Sequence, residues 1–264
     1  MSLLRKIGQL FGRFTTHDGL IVLMYHRVNS KLPKGPLVVT PKEFASQMLF
    51  LSIYRNKFQV VGIDEALRFL RGEVKQDKSA KTKILITFDD GYRDNYINAL
   101  PTLTRHRFPA IVFLTTDYIN TDNKRPRYAK VPWKRDYLNM TEIRDMIGKG
   151  IAFGAHTRTH PHLDQISSED AKNEIIGSRD ALKNIFGSKD IAFCYPYGHY
   201  NEQVKNIVRE TGLSCAFSVN PGINYRGQDL FEIKRIGVLG EDNFSSFKFK
   251  LTDKYENTSV SLNK

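Results

Sequence analysis

The 264-residue chain holds only two cysteines and one tryptophan, and its 28 acidic side chains are outnumbered by 40 lysines and arginines. Cys194 and Cys215 each sit inside an apolar, strand-like segment (IAFCYPYG and LSCAFSV), which points to buried free thiols rather than a disulfide framework. No run approaches the roughly 18 apolar residues of a membrane-crossing helix, and no cleavable leader with a short apolar centre and small residues behind it is seen. A cytoplasmic address is therefore the expectation. Zinc-finger spacing, an RNA-binding aromatic signature and a Gly-rich phosphate loop are all missing, so the formal charge of +12 does not by itself argue for nucleic acid. An anionic membrane surface or a phosphorylated substrate remains a suitable partner for that charge.

What is present is a core-forming composition, 41% hydrophobic, arranged in a repeating order. Short β-rich runs occur at LIVLMYHRV, FQVVGI, KILITFDD, PAIVFLTT, IAFGAHT, IAFCYPYG, LSCAFSV and IKRIGVL. Helical patterns with capping residues lie between them, at residues 41–56, 64–71, 95–106, 141–149, 168–186 and 201–211. Strand and helix alternate about seven times without a break in composition, which predicts one α/β domain built as a distorted (β/α)7 TIM-like barrel. Its expected limits are residues 19–251. An amphipathic segment, residues 1–18, precedes it, with Leu3, Leu4, Ile7, Leu10, Phe11 and Phe14 at helical spacing and Arg5, Lys6 and Arg13 among them; it suits either an anionic membrane surface or packing on the domain. A polar tail, residues 252–264, is expected to fray.

In a parallel barrel, reactive groups gather where strands end at the carboxyl edge. Tyr25-His26, Asp89-Asp90, His156 and Tyr195-Pro196-Tyr197 all stand at such ends. Asp followed by Gly is an ordinary turn signal, yet two adjacent carboxylates closing an apolar strand need a positive charge to stay ionised together, and a divalent cation would supply it. GAHTRTHPHL offers imidazoles: Pro161 pushes His160 out of helical backbone, so His156 and His160 fall on a strand end and its loop, able to meet one ion with one Asp. His162 is a further imidazole, expected to support rather than ligate. The remaining histidines, His17, His106 and His199, read as surface or packing groups.

TFDDG, HTRTH and YPYG, in that order at successive strand ends, resemble the polysaccharide deacetylase family, carbohydrate esterase family 4. LMYHRV at the start, and YPYG where many members carry an arginine, look most like the poly-N-acetylglucosamine deacetylase branch, whose barrel is circularly permuted so that the acid histidine comes from the first strand. The resemblance spans nearly the whole chain, from VLMYHRV to KRIGVL. It implies a metal-dependent hydrolase that removes N-acetyl groups from an N-acetylated sugar in a polysaccharide or lipid-linked glycan. Asp90, His156 and His160 match the metal ligands, Asp89 the general base, Tyr197 the residue whose backbone N–H meets the oxyanion, and His26 the group that protonates the leaving amine. Zinc is the expected ion, with cobalt, nickel, manganese or iron also compatible with two imidazoles and a carboxylate. The chain departs from the commoner pattern in two places: no C-terminal catalytic histidine follows His199, and Cys194 replaces the arginine that opens the third motif. Arg235 is available to orient Asp89 in its stead or to contact substrate, and a surface position suits it equally.

The expected substrate surface comprises Tyr195, Arg235 and a cationic, aromatic loop, NKRPRYAKVPWKRDY, in which Tyr128 and Trp133 would stack on sugar rings. Read with the cytoplasmic expectation, this suggests work at the inner membrane face on a lipid-linked or growing glycan. Competing readings are a catalytically silent glycan-binding module of the same fold, an O-acetyl esterase, and an Fe(II) oxygenase, the last of which would need an antiparallel double-sheet barrel. Sequence gives no oligomeric state.

Overall fold

In the computed structural model, residues 17–74, 81–120, 137–187 and 190–255 are described. Eight strands run parallel in one curled sheet: β1 (Leu20–Tyr25), β4 (Phe58–Val60), β5 (Thr82–Phe88), β6 (Ala110–Leu114), β7 (Ile151–Ala155), β8 (Ala192–Cys194), β9 (Cys215–Phe217) and β10 (Ile236–Gly237). They follow the order β10-β1-β5-β6-β7-β8-β9, with β4 beside the first half of β5 and β6 beside its last two residues. A short pair, β2 (Arg27–Val28) and β3 (Val38–Val39), lies off this sheet. The parallel, helix-wrapped sheet is the expected barrel-like α/β fold and leaves no place for the antiparallel barrel of an Fe(II) oxygenase.

Helices α1 (Pro41–Ile53), α2 (Ile63–Leu70), α3 (Leu100–His106), α4 (Met140–Gly148), α5 (Ser168–Phe186) and α6 (Glu202–Glu210) fill the crossovers, and α7 (Phe244–Lys250) follows β10. Their starts are written locally. Thr40 and Glu43 form a capping box on α1, Asn139 and Glu142 another on α4, and the side chains of Ser167, Asn201 and Asn243 accept the orphan N–H groups of α5, α6 and α7. The pattern over 95–106 resolves into a π-helical turn, Asn95–Ala99, before α3. Helix α7 and the β2–β3 pair were not anticipated, being too short to show a period.

Burial follows the two-residue period of the strands. Ile21, Leu23 and Tyr25 of β1, Ile84, Ile86 and Phe88 of β5 and Phe193 of β8 join the cluster under the helices. Leu20, Val22, Leu85, Ile111, Phe113, Cys194 and Phe217 point to the opposite, barrel-inner face, where Leu67, Phe69 and Leu70 of α2 join them. Every residue of β5 is buried, as expected of a parallel strand covered on both sides.

The boundary at residue 18 falls inside the packed structure. Asp18 pairs with Arg226, and the His17 N–H donates to Thr82 Oγ1 at 3.1 Å. At the other end Tyr255 packs on Phe249, ring centroids 6.0 Å apart, so the first residues after 251 are held rather than frayed. The amphipathic pattern over residues 3–14 and the tail beyond residue 255 lie outside the described residues. Cys194 and Cys215 are buried free thiols.

Candidate active site

Strand register assembles the site. Tyr25 of β1 is paired with Phe88 of β5, so the next residues, His26 and Asp89, leave neighbouring strands side by side. Both continue the barrel-inner parity of their strands. Their side chains meet accordingly, with His26 Nε2 3.8 Å from Asp89 Oδ2. Ala155 of β7 is paired with Phe193 of β8, and His156 extends the inner face alongside Cys194.

Asp90 would by parity turn outward. It returns to the cavity because its φ is +71°, a left-handed conformation that costs an Asp roughly 1–3 kcal/mol. The two adjacent carboxylates therefore share one cavity by a backbone inversion. His160 (φ +61°) and Tyr197 (φ +59°) are held in the same uncommon region. Backbone strain thus gathers on the residues that line one hollow.

Asp90 Oδ1 lies 3.5 Å from His156 Nε2 and 3.3 Å from His160 Nε2, and the two imidazole nitrogens are 3.1 Å apart. Ligand atoms each about 2.0–2.2 Å from a single ion are separated by roughly 2.9–3.5 Å, the span from octahedral to tetrahedral angles, so the three groups fit one divalent cation. His156 Nδ1 is 2.7 Å from the Cys194 carbonyl, so Nδ1–H donates there and Nε2 is turned toward Asp90, donating to it when protonated and offering its lone pair to a cation when not. Burial would push the Asp90 carboxyl up, but hydrogen bonds from both imidazoles hold it well below its ordinary value.

The loop bearing His160 is pinned from α5. Glu174 accepts from the Arg158 and Thr159 N–H groups at 2.8 Å each and from the Thr159 hydroxyl at 2.7 Å. Thr157 Oγ1 accepts the His160 N–H at 2.9 Å. Glu174 carried no motif signal, because it acts from a helix surface far along the chain.

Behind Asp89 stands Arg235, fully buried. Its Nη1 and Nη2 donate to the two Asp89 oxygens at 2.7 and 2.8 Å, its Nε donates to the Ser218 carbonyl at 2.7 Å, and its Nη2 lies 3.0 Å from Cys194 Sγ. Burial raises the Asp89 carboxyl and Arg235 more than offsets this, leaving it below its usual value and ionised. The substrate-contact expectation for Arg235 is thereby corrected. A guanidinium with no exposed surface, committed to Asp89 and Ser218, orients the carboxylate. Tyr195 borders the same cavity, but its substrate-contact role is corrected: it shares the parity of Phe193, so its ring turns under the helices, stacks on Tyr200 at 4.3 Å and donates its hydroxyl to the Phe231 carbonyl at 3.1 Å. Tyr128 and Trp133 lie outside the described residues.

His26, Asp89, Asp90, His156, His160 and Tyr197 all line one cavity of about 560 Å³, completed by Met24, Leu37 and Leu239 among others. Tyr197 is 39% exposed at its mouth and carries His162 stacked on its ring, 3.9 Å between centroids and 6° between planes. His199 is at this mouth as well, not simply on the surface.

Similarity to known proteins agrees with this arrangement. The polysaccharide deacetylase family model matches residues 76–216. YxkH of Bacillus subtilis is 30% identical over 229 residues, spanning 86% of this chain and 74% of that protein. The poly-beta-1,6-N-acetyl-D-glucosamine N-deacetylase of Staphylococcus epidermidis is 25% identical over 251 residues, 87% of this chain and 82% of that protein. Among solved structures, the deacetylase PplD of Streptococcus pyogenes superposes with a TM-score of 0.75 at 23% identity, covering 88% of this chain and 98% of that one. IcaB from Ammonifex degensii gives 0.73 at 24%, covering 89% and 97%; at such identities these two speak for the fold. The chain belongs to the polysaccharide deacetylase family.

Proposed function

We propose that this protein hydrolyses the N-acetyl groups of an N-acetylated glycan, releasing acetate and leaving a free amine on the sugar. The observation that carries the reading is the convergence of Asp90, His156 and His160 within 3.5 Å of one another, with Asp89 and His26 bordering the same cavity. A divalent cation in that trio, zinc being the first choice for two imidazoles and a carboxylate, supplies the positive charge that polarises the acyl carbonyl and acidifies water.

The chain's own groups handle the protons. Asp89, kept ionised by Arg235, accepts a proton from the attacking water. The backbone N–H of Tyr197, a cavity-lining residue in left-handed conformation, is assigned to donate to the oxygen that gains charge when the carbonyl carbon becomes tetrahedral. His26 then gives a proton to the departing nitrogen as the C–N bond breaks. With no histidine after His199 to share the task, that proton rests on His26. Buried walls around Asp89 and His156 keep bulk water from competing for these bonds.

The sugar chain itself belongs at the mouth beside Tyr197, and the aromatic, cationic segment over residues 123–137 is suited to extend that surface. Action on a lipid-linked or growing glycan at the cytoplasmic face of a membrane is supported by the +12 charge and by the cationic, apolar pattern of residues 3–14. Among the described residues no helix is long and apolar enough to cross a membrane.

Acetate release from N-acetylated and O-acetylated oligosaccharides, with the amine product quantified, tests the reading. Asp89→Asn should lower turnover by about 10²- to 10⁴-fold while the metal content stays at the wild-type level. Release from O-acetyl substrates alone would convert the assignment to an esterase, and undiminished turnover in Asp89→Asn would remove Asp89 as the base.

A further inference from the structure

A second group of ligand atoms lies at the cavity mouth, apart from the catalytic trio. His162 Nδ1 and His199 Nδ1 are 3.3 Å apart, and with a carboxylate oxygen of Asp164 they form a set whose atoms all fall within 4.8 Å of one another. The three come from two short turns. His162 precedes the 3-10 turn Leu163–Gln165, which holds Asp164, and His199 follows the turn Pro196–Gly198. Backbone bonds shape both: the Gln165 N–H donates to the His162 carbonyl at 3.1 Å, and the His199 N–H donates to the Pro196 carbonyl at 3.1 Å. Gly198 makes the second turn possible, since at its φ of +70° an added Cβ would come within 2.2 Å of Val219.

We propose that His162, Asp164 and His199 form a second binding site for a divalent transition-metal cation, one that restrains the mouth of the cleft when filled. Two imidazole nitrogens each about 2.0–2.1 Å from a tetrahedral ion stand roughly 3.3–3.4 Å apart, which is the separation seen between these rings. A direct N–H···N bond between the rings would also give that separation. The Asp164 carboxylate, with an oxygen within 4.8 Å of both nitrogens, is a third donor that an ion would recruit and that the ring-to-ring bond does not use. Two imidazoles and one carboxylate favour zinc, nickel or cobalt over magnesium or calcium. Asp164 and His199 are exposed and His162 half-buried, so this site exchanges with solvent and fills after the buried trio.

Its position gives it a consequence. The Tyr197 ring lies between His160, edge-on at 4.5 Å, and His162, flat against it at 3.9 Å. An ion joining His162 to His199 fixes the outer half of that sandwich and locks the two turns in place across the mouth. Excess zinc therefore lowers turnover.

The test is the zinc content of the full chain, stripped with chelator, reloaded with zinc chloride and freed of unbound ion. Wild type should carry two equivalents, His199→Ala one, Asp90→Asn one and the double variant none. Asp164→Asn, a second surface change, should weaken the outer site about 10- to 100-fold. Equal zinc in wild type and His199→Ala overturns the proposal, and so does a second site that magnesium fills as readily. Two equivalents retained in Asp90→Asn would count against the catalytic trio and leave the outer site standing. Activity assays at rising zinc should show inhibition in wild type that His199→Ala resists; identical inhibition in the two proteins would overturn the restraining role.

Discussion

Arg235 grips Asp89 through both guanidinium nitrogens, at 2.7 and 2.8 Å, with neither side chain open to solvent. A fork-on-fork pair of this kind fixes both the charge and the plane of the carboxylate. Cys194 Sγ sits 3.0 Å from the same guanidinium. The cation that holds the base stands just before β10, 41 residues past Cys194, and the thiol lies against it.

Arg235→Lys keeps the charge and loses the fork. The expected result is a folded protein with unchanged metal content and a kcat reduced by about 10-fold or more, because Asp89 is free to rotate. Arg235→Ala strands a buried carboxylate and should cost roughly 3–5 kcal/mol by denaturant titration. Wild-type kcat in Arg235→Lys would show that the pair serves the fold alone.

The same pair ties stability to pH. Asp89 has a folded value below its unfolded one, so its contribution is fully present above the ordinary carboxylate value near 4 and is lost as pH falls through the folded value. Acid unfolding of wild type should therefore steepen below about pH 4, and Asp89→Asn should show a shallower acid limb from a lower plateau.

His26 is expected to set the alkaline side of the rate profile. Burial lowers its imidazole, against the pull of Asp89 and Asp90, so the protonated form is scarcer near neutrality than for an exposed histidine. A proton donor must carry its proton, so kcat/KM should fall as pH rises through a value under about 6.5. His26→Gln should lose that limb and about 10²- to 10⁴-fold in rate. An unchanged pH profile in this variant would place the proton donor elsewhere.

Glu174 anchors the loop of His160 by three hydrogen bonds from a helix that never reaches the cavity. Glu174→Gln keeps the size but weakens all three acceptor contacts. Metal affinity, measured by competition with a chromogenic chelator, should drop by about 10- to 100-fold while the circular dichroism spectrum stays unchanged. Equal affinity in the variant would mean that Pro161 and Thr157 hold the loop without it.

The sequence alone determined the barrel and most of its chemistry, because both are written in short-range patterns. Strand-length apolar runs alternate with capped helical segments, and carboxylates and imidazoles close strands whose parallel course brings their ends to one edge. Tertiary structure decided how each side chain is used. Strand parity, which a residue count cannot fix without knowing which face is inner, sent His26, Asp89, His156 and Arg235 into the barrel and turned Tyr195 beneath the helices. Backbone inversion at Asp90 brought the second carboxylate back beside the first, and only the packed loops around it stabilise that conformation. The ion pair of Arg235 with Asp89, the Glu174 anchor and the meeting of His162 with His199 join residues 146, 15–16 and 37 positions apart. Contacts at such separations leave no periodic trace along the chain, for they depend on the closure of the sheet and not on any local preference.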